Sequence, residues 1–242
     1  LCFFASVQLH SQNKYSKIFD RIITSYDQNK LTSLVSEFSQ RQIRLKNEAE
    51  TYARINNIPM RYEKEDGTLL ELQYITEDGI PIYYTTFNVD AAISTRTNFL
   101  NSDGGLGLAL NGDDLTAHVW DGGLARGTHQ EYDGLGGDNR FSIGDASTTL
   151  NFHAAHVTGT IMASGFVADA KGMAWQADAV GYDWNNDESE AAAAAAAGML
   201  LSNHSYGYRL RDDDGQVLLP PVYLGGYINV SRNWDNIMYN AP

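Results

Sequence analysis

Cysteine is nearly absent from this chain. Its one cysteine, Cys2, lies at the extreme start, so the body of the chain carries no thiol. That excludes thiolate catalysis, disulfides and a cysteine-ligated structural zinc, and leaves the compartment open. Positive charge is scarce as well: 17 Lys and Arg stand against 30 Asp and Glu, a formal net charge of -13. The deficit is uneven. Residues 1–88 hold 10 basic and 11 acidic side chains, a net of -1, whereas residues 89–242 hold 7 and 19, a net of -12. A nucleic-acid partner is excluded on this ground, because affinity for a phosphate backbone needs Lys and Arg to displace counterions. No apolar run is long enough to cross a bilayer, so no transmembrane segment is expected.

What is present suits a globular protein: 43% of residues are apolar and 11% aromatic, enough for a sizeable core. The change in charge near residue 88 divides the chain into two units. Before it, Leu-Cys-Phe-Phe-Ala-Ser-Val-Gln-Leu reads as the apolar middle of a secretory signal lacking its charged start, so residues 1–12 are expected to be a partial leader and the protein exported, secreted or at the cell surface. Residues 13–88 read as helices followed by a hairpin, a small α+β unit. Apolar residues at Tyr15, Ile18, Phe19, Ile22, Ile23 and Tyr26 have helical spacing. A second helix is expected over 31–55, with Leu34, Val35, Phe38, Ala49, Tyr52 and Ala53 inward and Asn56-Asn57-Ile58-Pro59 as its stop. The turns Glu65-Asp66-Gly67 and Glu77-Asp78-Gly79 delimit strands over 69–75 and 80–86.

From residue 89 the pattern alternates. Strands are expected at 115–120, 179–182 and 200–204, and helices at 153–164 and 187–197, which signals an α/β domain with a parallel sheet. Asp187 and Glu190 have capping-box spacing ahead of seven alanines, so that stretch reads as a close-packed helix. Residues 122–150 form a long Gly- and Asp-rich loop beside the strand ends, where ligands of such folds bind.

Two motifs meet at that edge. Asp121 closes the first strand and precedes Gly122-Gly123, so its carboxylate can be held at the sheet rim while the backbone turns away. His153 opens a helix whose Ala154, Ala155 and Gly159 are thin enough for close packing. An acid at a strand end and a histidine at a helix start, joined by one crossover, can come together as an orienting carboxylate and a proton-accepting imidazole. His156, one turn on, is expected to pack against the sheet.

Val-Trp-Asp-Gly-Gly at 119–123 and His-Ala-Ala-His-Val-Thr-Gly-Thr at 153–160 resemble the aspartate and histidine boxes of the subtilisin-like serine peptidases (peptidase S8). Lys-Gly-Met-Ala at 171–174 is similar to the family's turn before its next strand, and Asn-His-Ser-Tyr-Gly at 203–207 to the strand end lining its cleft. The resemblance covers about residues 110–210 and departs in the Ala-Ala after His153, where Gly-Thr is commoner. It implies a subtilisin-like catalytic domain over 89–242, incomplete, preceded by a pro-region over 13–88 that docks on it. Asp121 would polarise the ring and His153 would serve as base and then acid. Ser205, Tyr206 and Gly207 would pair with an extended peptide or protein substrate as an added strand, although the Tyr206 side chain could equally be a buried strand end. No cofactor is implied for the chemistry. Asp212-Asp213-Asp214-Gly215 offers oxygen ligands for a structural calcium, with a solvated turn as the plainer reading.

The Gly-Thr-Ser nucleophile segment and the oxyanion asparagine box do not occur in the 242 residues. An amino-terminal fragment, itself inactive, is therefore expected. Two other classes stay open: a binding module that kept the fold without the nucleophile, and a metal-binding protein using His153 and His156 with His118, His129 or nearby aspartates, which lacks the Glu-containing zinc-protease box.

Overall fold

The computed structural model describes residues 21–63, 69–86, 107–133, 139–167, 170–212 and 214–241. The expected leader at 1–12, the first half of the helix over 15–26, the turn Glu65-Asp66-Gly67, the boundary at 88 and Asp213 lie outside the described residues.

Helix α1 (Gln28–Asn56) starts where Asp27 accepts a hydrogen bond from the Lys30 N–H, and ends at Asn57, whose left-handed backbone (φ 52°) stops the ladder. At 1.5 Å per residue it is about 44 Å long, and its two ends serve different partners. Leu31, Leu34 and Phe38 near its start pack on Ala191, Ala192, Ala194 and Ala195 of a later helix, while Ala49 and Ala53 near its end cover Leu72 of a strand. Leu31 and Leu45 join the expected inner face, and Val35 and Tyr52 stand at its margin. Residues 21–23 are helical, and Ile22, Ile23 and Tyr26 lie on the same core.

Strands β1 (Arg61–Glu63), β2 (Leu69–Ile75) and β3 (Pro81–Thr86) are antiparallel neighbours, and Gly79 (φ 81°) makes the turn between β2 and β3. A second sheet is parallel. It takes β4 (Thr116–Asp121), β5 (Phe141–Ile143), β6 (Asp178–Asp183) and β7 (Leu201–His204) in the order β5-β6-β4-β7. The molecule is thus mixed α/β with a four-stranded parallel sheet, as the alternating pattern predicts. Helix α2 (Phe152–Met162) covers one face of that sheet, where Met162 meets Phe141 and Ala179. On the other face α3 (Asp187–Ala196) and α4 (Asn229–Asn240) pack over Trp120 and Tyr182, and α1 lies across them.

Strand β8 (Tyr206–Tyr208) follows β7 after one residue but leaves the parallel sheet to join β3, giving an antiparallel order β1-β2-β3-β8. The two halves of the chain therefore share one sheet. None of the described helices is long and apolar enough to cross a membrane.

Three local expectations are corrected. Residues 122–150 are not one irregular loop, since they carry β5 and a short 3-10 turn, Gln130–Tyr132. Helix α3 has no capping box: Asn186 is its N-cap without a side-chain bond, Asp187 turns to the Glu188 N–H, and Glu190 takes the indole N–H of Trp120 at 2.9 Å. Tertiary partners then claim both carboxylates, Tyr206 the other oxygen of Asp187 and Trp120 one of Glu190. Gly159 does not serve close packing either, because a Cβ there would meet nothing within 4 Å, whereas one at Gly172 would come within 2.5 Å of the Ala163 nitrogen.

Candidate functional site

The chain leaves β4 at Asp121 and turns through Gly122 and Gly123. Gly123 adopts φ 145°, and a Cβ there would lie 2.7 Å from the Thr149 carbonyl, so this position needs glycine on both counts. The tight turn lets Leu124 donate to Thr149 at 2.8 Å and accept from Asn151 at 2.9 Å. That pair of bonds seats the start of α2 beside the end of β4. Asn151 then caps the helix, accepting from the backbone N–H of His153 at 2.8 Å and Ala154 at 3.2 Å.

This scaffold brings together the two residues expected to act together. His153 Nδ1 lies 2.8 Å from one oxygen of Asp121 and 3.0 Å from the other. The Asp121 Oδ1 also accepts from the Gly122 N–H at 2.6 Å. An ionised carboxylate only accepts, so Nδ1 carries the proton, and Nε2 is the atom through which a neutral ring would take another. Asp121 is 0% and His153 1% exposed, which places the pair where water screens it least.

Ser205, Tyr206 and Gly207 lie at the same edge, since His204 pairs with the strand position beside Trp120 and the chain continues past Asp121. All three are half-buried. Tyr206 and Gly207 are strand partners of Thr86 and Thr85 on β3, so this edge does pair with an extended segment, and the segment is the chain's own. The Ser205 hydroxyl donates to Asn203 Oδ1 at 2.8 Å. The Tyr206 ring is packed among Tyr84, Trp184 and His204, as expected of a buried strand end. Its hydroxyl accepts from His204 Nδ1 and donates to Asp187 Oδ2, each at 2.8 Å. Burial, followed by the neighbouring Asp187 charge, raises the Tyr206 phenol well above its ordinary value. Burial pushes Asp187 up to about 7, with Glu188 adding to it, and holds His204 down to about 4.

Sequence reasoning missed Arg61. From β1 its guanidinium bonds Glu71 at 2.7 Å, lies 3.8 Å from Asp183 and donates to the Gly122 carbonyl, directly after Asp121. Glu71 is the hub of this cluster, accepting also from Lys46 Nζ and from the Trp184 indole, each at 2.8 Å. Burial raises the Glu71 carboxyl, yet Lys46, Trp184 and Arg61 outweigh it and leave it lowered. Asp183, the strand partner of Asp121, is pushed up to about 6 by burial and then by Glu71, against the pull of Arg61. An isolated Arg in a three-residue strand gives no signal in sequence that it will reach a rim delivered by residues 121–122.

His156 is exposed on the outer side of α2 and does not pack on the sheet, because the helix turns Ala154, Thr158 and Met162 inward instead. It lines a cavity of about 510 Å³ with His129, Tyr132, Thr160 and Met173. His118 stacks on Trp120 and Tyr182 and bonds the Tyr182 hydroxyl at 3.1 Å. Among the described residues no group of three His, Cys, Asp or Glu side chains is placed to hold a metal ion. Asp212 accepts from the backbone of Asp214 and Gln216, which makes it a turn-forming residue. Comparison of the chain with protein-family models, with curated proteins and with solved structures returns no match in any of the three.

Proposed function

We propose that this chain is the amino-terminal part of an exported subtilisin-like serine endopeptidase: a pro-region, then the first part of a catalytic domain. The observation that carries the reading is the buried bond between Asp121 and His153 Nδ1, 2.8 Å long, at the carboxyl edge of a parallel sheet. In this role Asp121 fixes the tautomer and steadies the imidazolium. His153 takes the proton of a serine hydroxyl as it attacks a peptide carbonyl, then returns it to the leaving amine. The serine and the oxyanion donors are assigned to sequence beyond residue 242, in keeping with the missing Gly-Thr-Ser segment. No cofactor enters this chemistry.

The pairing of β3 with β8 supports the same reading. An extended peptide adds to a strand edge through backbone bonds, and β3 is such a peptide supplied by the preceding unit. While it is seated, that unit occupies the edge a substrate would use.

The test is made on the full-length protein. A serine-directed phosphonate should label it, and Asp121→Ala or His153→Ala should lower turnover by roughly 10³-fold or more with folding retained. Full activity in either variant would reject the roles. A full-length protein that folds, never labels and cleaves nothing would be the binding module instead.

A further inference from the structure

We infer that Trp184, Tyr206, Tyr208 and Asp187 form a recognition pocket for a tyrosine side chain of the bound peptide, and that Asp187 selects its hydroxyl. The inference rests on the proteolytic reading and adds a substrate preference to it.

The pocket is visible because it is filled. Tyr84 of β3 projects into it, with its ring 5.6 Å from Trp184 at 75°, 5.1 Å from Tyr206 at 37° and 5.8 Å from Tyr208 at 41° between centroids and planes. Three walls of this kind suit an aromatic ring, through edge-to-face and tilted contacts that add to its burial. Every wall comes from residues 184–208, while the occupant comes from the preceding unit. The backbone ladder that seats it, Tyr84 with Tyr208, Thr85 with Gly207 and Thr86 with Tyr206, reads no side chain. Selection must therefore come from the pocket.

Asp187 supplies what a plain aromatic slot lacks. Its side chain is buried, and the acid lies at the pocket's inner end with Oδ1 taken by the Glu188 N–H at 2.8 Å. Oδ2 receives the Tyr206 hydroxyl at 2.8 Å, and the Tyr84 hydroxyl stands 3.5 Å from the same atom. A phenylalanine would fill the walls and leave this oxygen with one donor fewer, in a place where few waters can replace it. One buried hydrogen bond gained or lost in this way corresponds to a change of up to about tenfold in affinity. A leucine would lose both the ring contacts and the hydroxyl.

The experiment uses the mature full-length enzyme, with hydrolysis of a labelled general protein substrate as readout. The hexapeptide Pro-Ile-Tyr-Tyr-Thr-Thr, residues 81–86, is added as competitor beside versions carrying Phe, Leu or Lys at position 84. The tyrosine peptide should inhibit about tenfold better than the phenylalanine peptide, and Leu should be weaker again. Asp187→Ala should bring the Tyr-to-Phe ratio close to one, whereas Tyr206→Phe, which removes the competing hydroxyl, should preserve it. Equal inhibition by Tyr and Phe, a lysine peptide that inhibits best, or a ratio untouched by Asp187→Ala would overturn the inference while leaving the peptidase reading intact. Absence of phosphonate labelling and of all hydrolysis would bring down the peptidase reading itself, and the substrate preference with it.

Discussion

Three carboxyl groups, two buried and one half-buried, hold protons that an unfolded chain would release. Asp183 is pushed up to about 6, Asp187 and Glu190 to about 7, in each case first by burial. A carboxyl whose folded pKa is raised stabilises the fold below its unfolded value near 4, and that contribution is lost as pH rises towards the folded value. Buried His204 works in the other direction. Burial holds it down to about 4 from 6.5, so its contribution is lost as pH falls through that interval. The two effects oppose one another below pH 6.5, and above it the carboxyls act alone. The melting temperature should accordingly fall between pH 6.5 and about pH 8. Glu190→Gln keeps an acceptor for the Trp120 indole and removes one titrating group, so it should flatten that slope. Thermal unfolding of the wild type and variant across the interval checks this, and an upward slope would contradict the assignment. The sequence announces Asp121 and His153, by contrast, because a glycine pair and a run of small helical residues mark them locally. Asp183, Asp187 and Glu190 give no comparable sign, since their environment is built by residues far away in the chain.

Helix α1 and strands β2 and β3 were readable from periodicity and turn residues, with β2 beginning and ending where the Asp-Gly signals put it. Strands β1, β5 and β8 were not, because three residues cannot display a period of two. Helix α4 was also missed. Its asparagines are poor helix formers, and its buried positions are few. The alanine run, ambiguous as a sequence, is explained by its partner: methyl groups let α1 approach so closely that the Ser189 hydroxyl donates to the Val35 carbonyl at 3.0 Å. Phe38, 1% exposed, is the largest side chain that α1 places in this seam. Phe38→Ala should cost about 3–5 kcal/mol, since a wall of alanines has no side-chain length with which to fill the space. Denaturant titration would measure it, and a loss below about 1 kcal/mol would mean that α1 is not held by this seam. Arg61→Ala should cost about 3 kcal/mol by leaving Glu71 and Asp183 short of a cation. Asp183→Asn in the same chain should recover part of that loss.

Charge is what joins the two halves beyond packing. The second half carries nearly all of the net negative charge, and cations of the first half meet its carboxylates across the seam: Arg41 bonds Glu188 at 2.7 Å and Arg61 approaches Asp183, while Lys46 adds a bond to the Asn185 amide at 2.8 Å. The charge difference was visible in the composition, but its use as an adhesive was not, since that depends on which faces meet. Added to this, Leu31, Leu34 and Phe38 bury side chains worth about 1.5–3 kcal/mol each, roughly 5–9 kcal/mol before the cost of holding two bodies together. Apolar burial of that size corresponds to roughly 0.2 mM to sub-micromolar binding before that cost is taken off, so tight association rests on the β3–β8 ladder and the ionic contacts as well. Cutting the full-length protein at a protease site inserted between Thr86 and Gly107 should therefore leave both pieces associated. They should co-elute on size exclusion at micromolar concentration and come apart more readily at high salt, because exposed parts of the ionic seam are screened while the packed alanines are not. Separate elution in low salt would show that the connecting chain, rather than the seam, keeps the first half in place, and β3 would then be too weakly held to stand guard over the edge at β8.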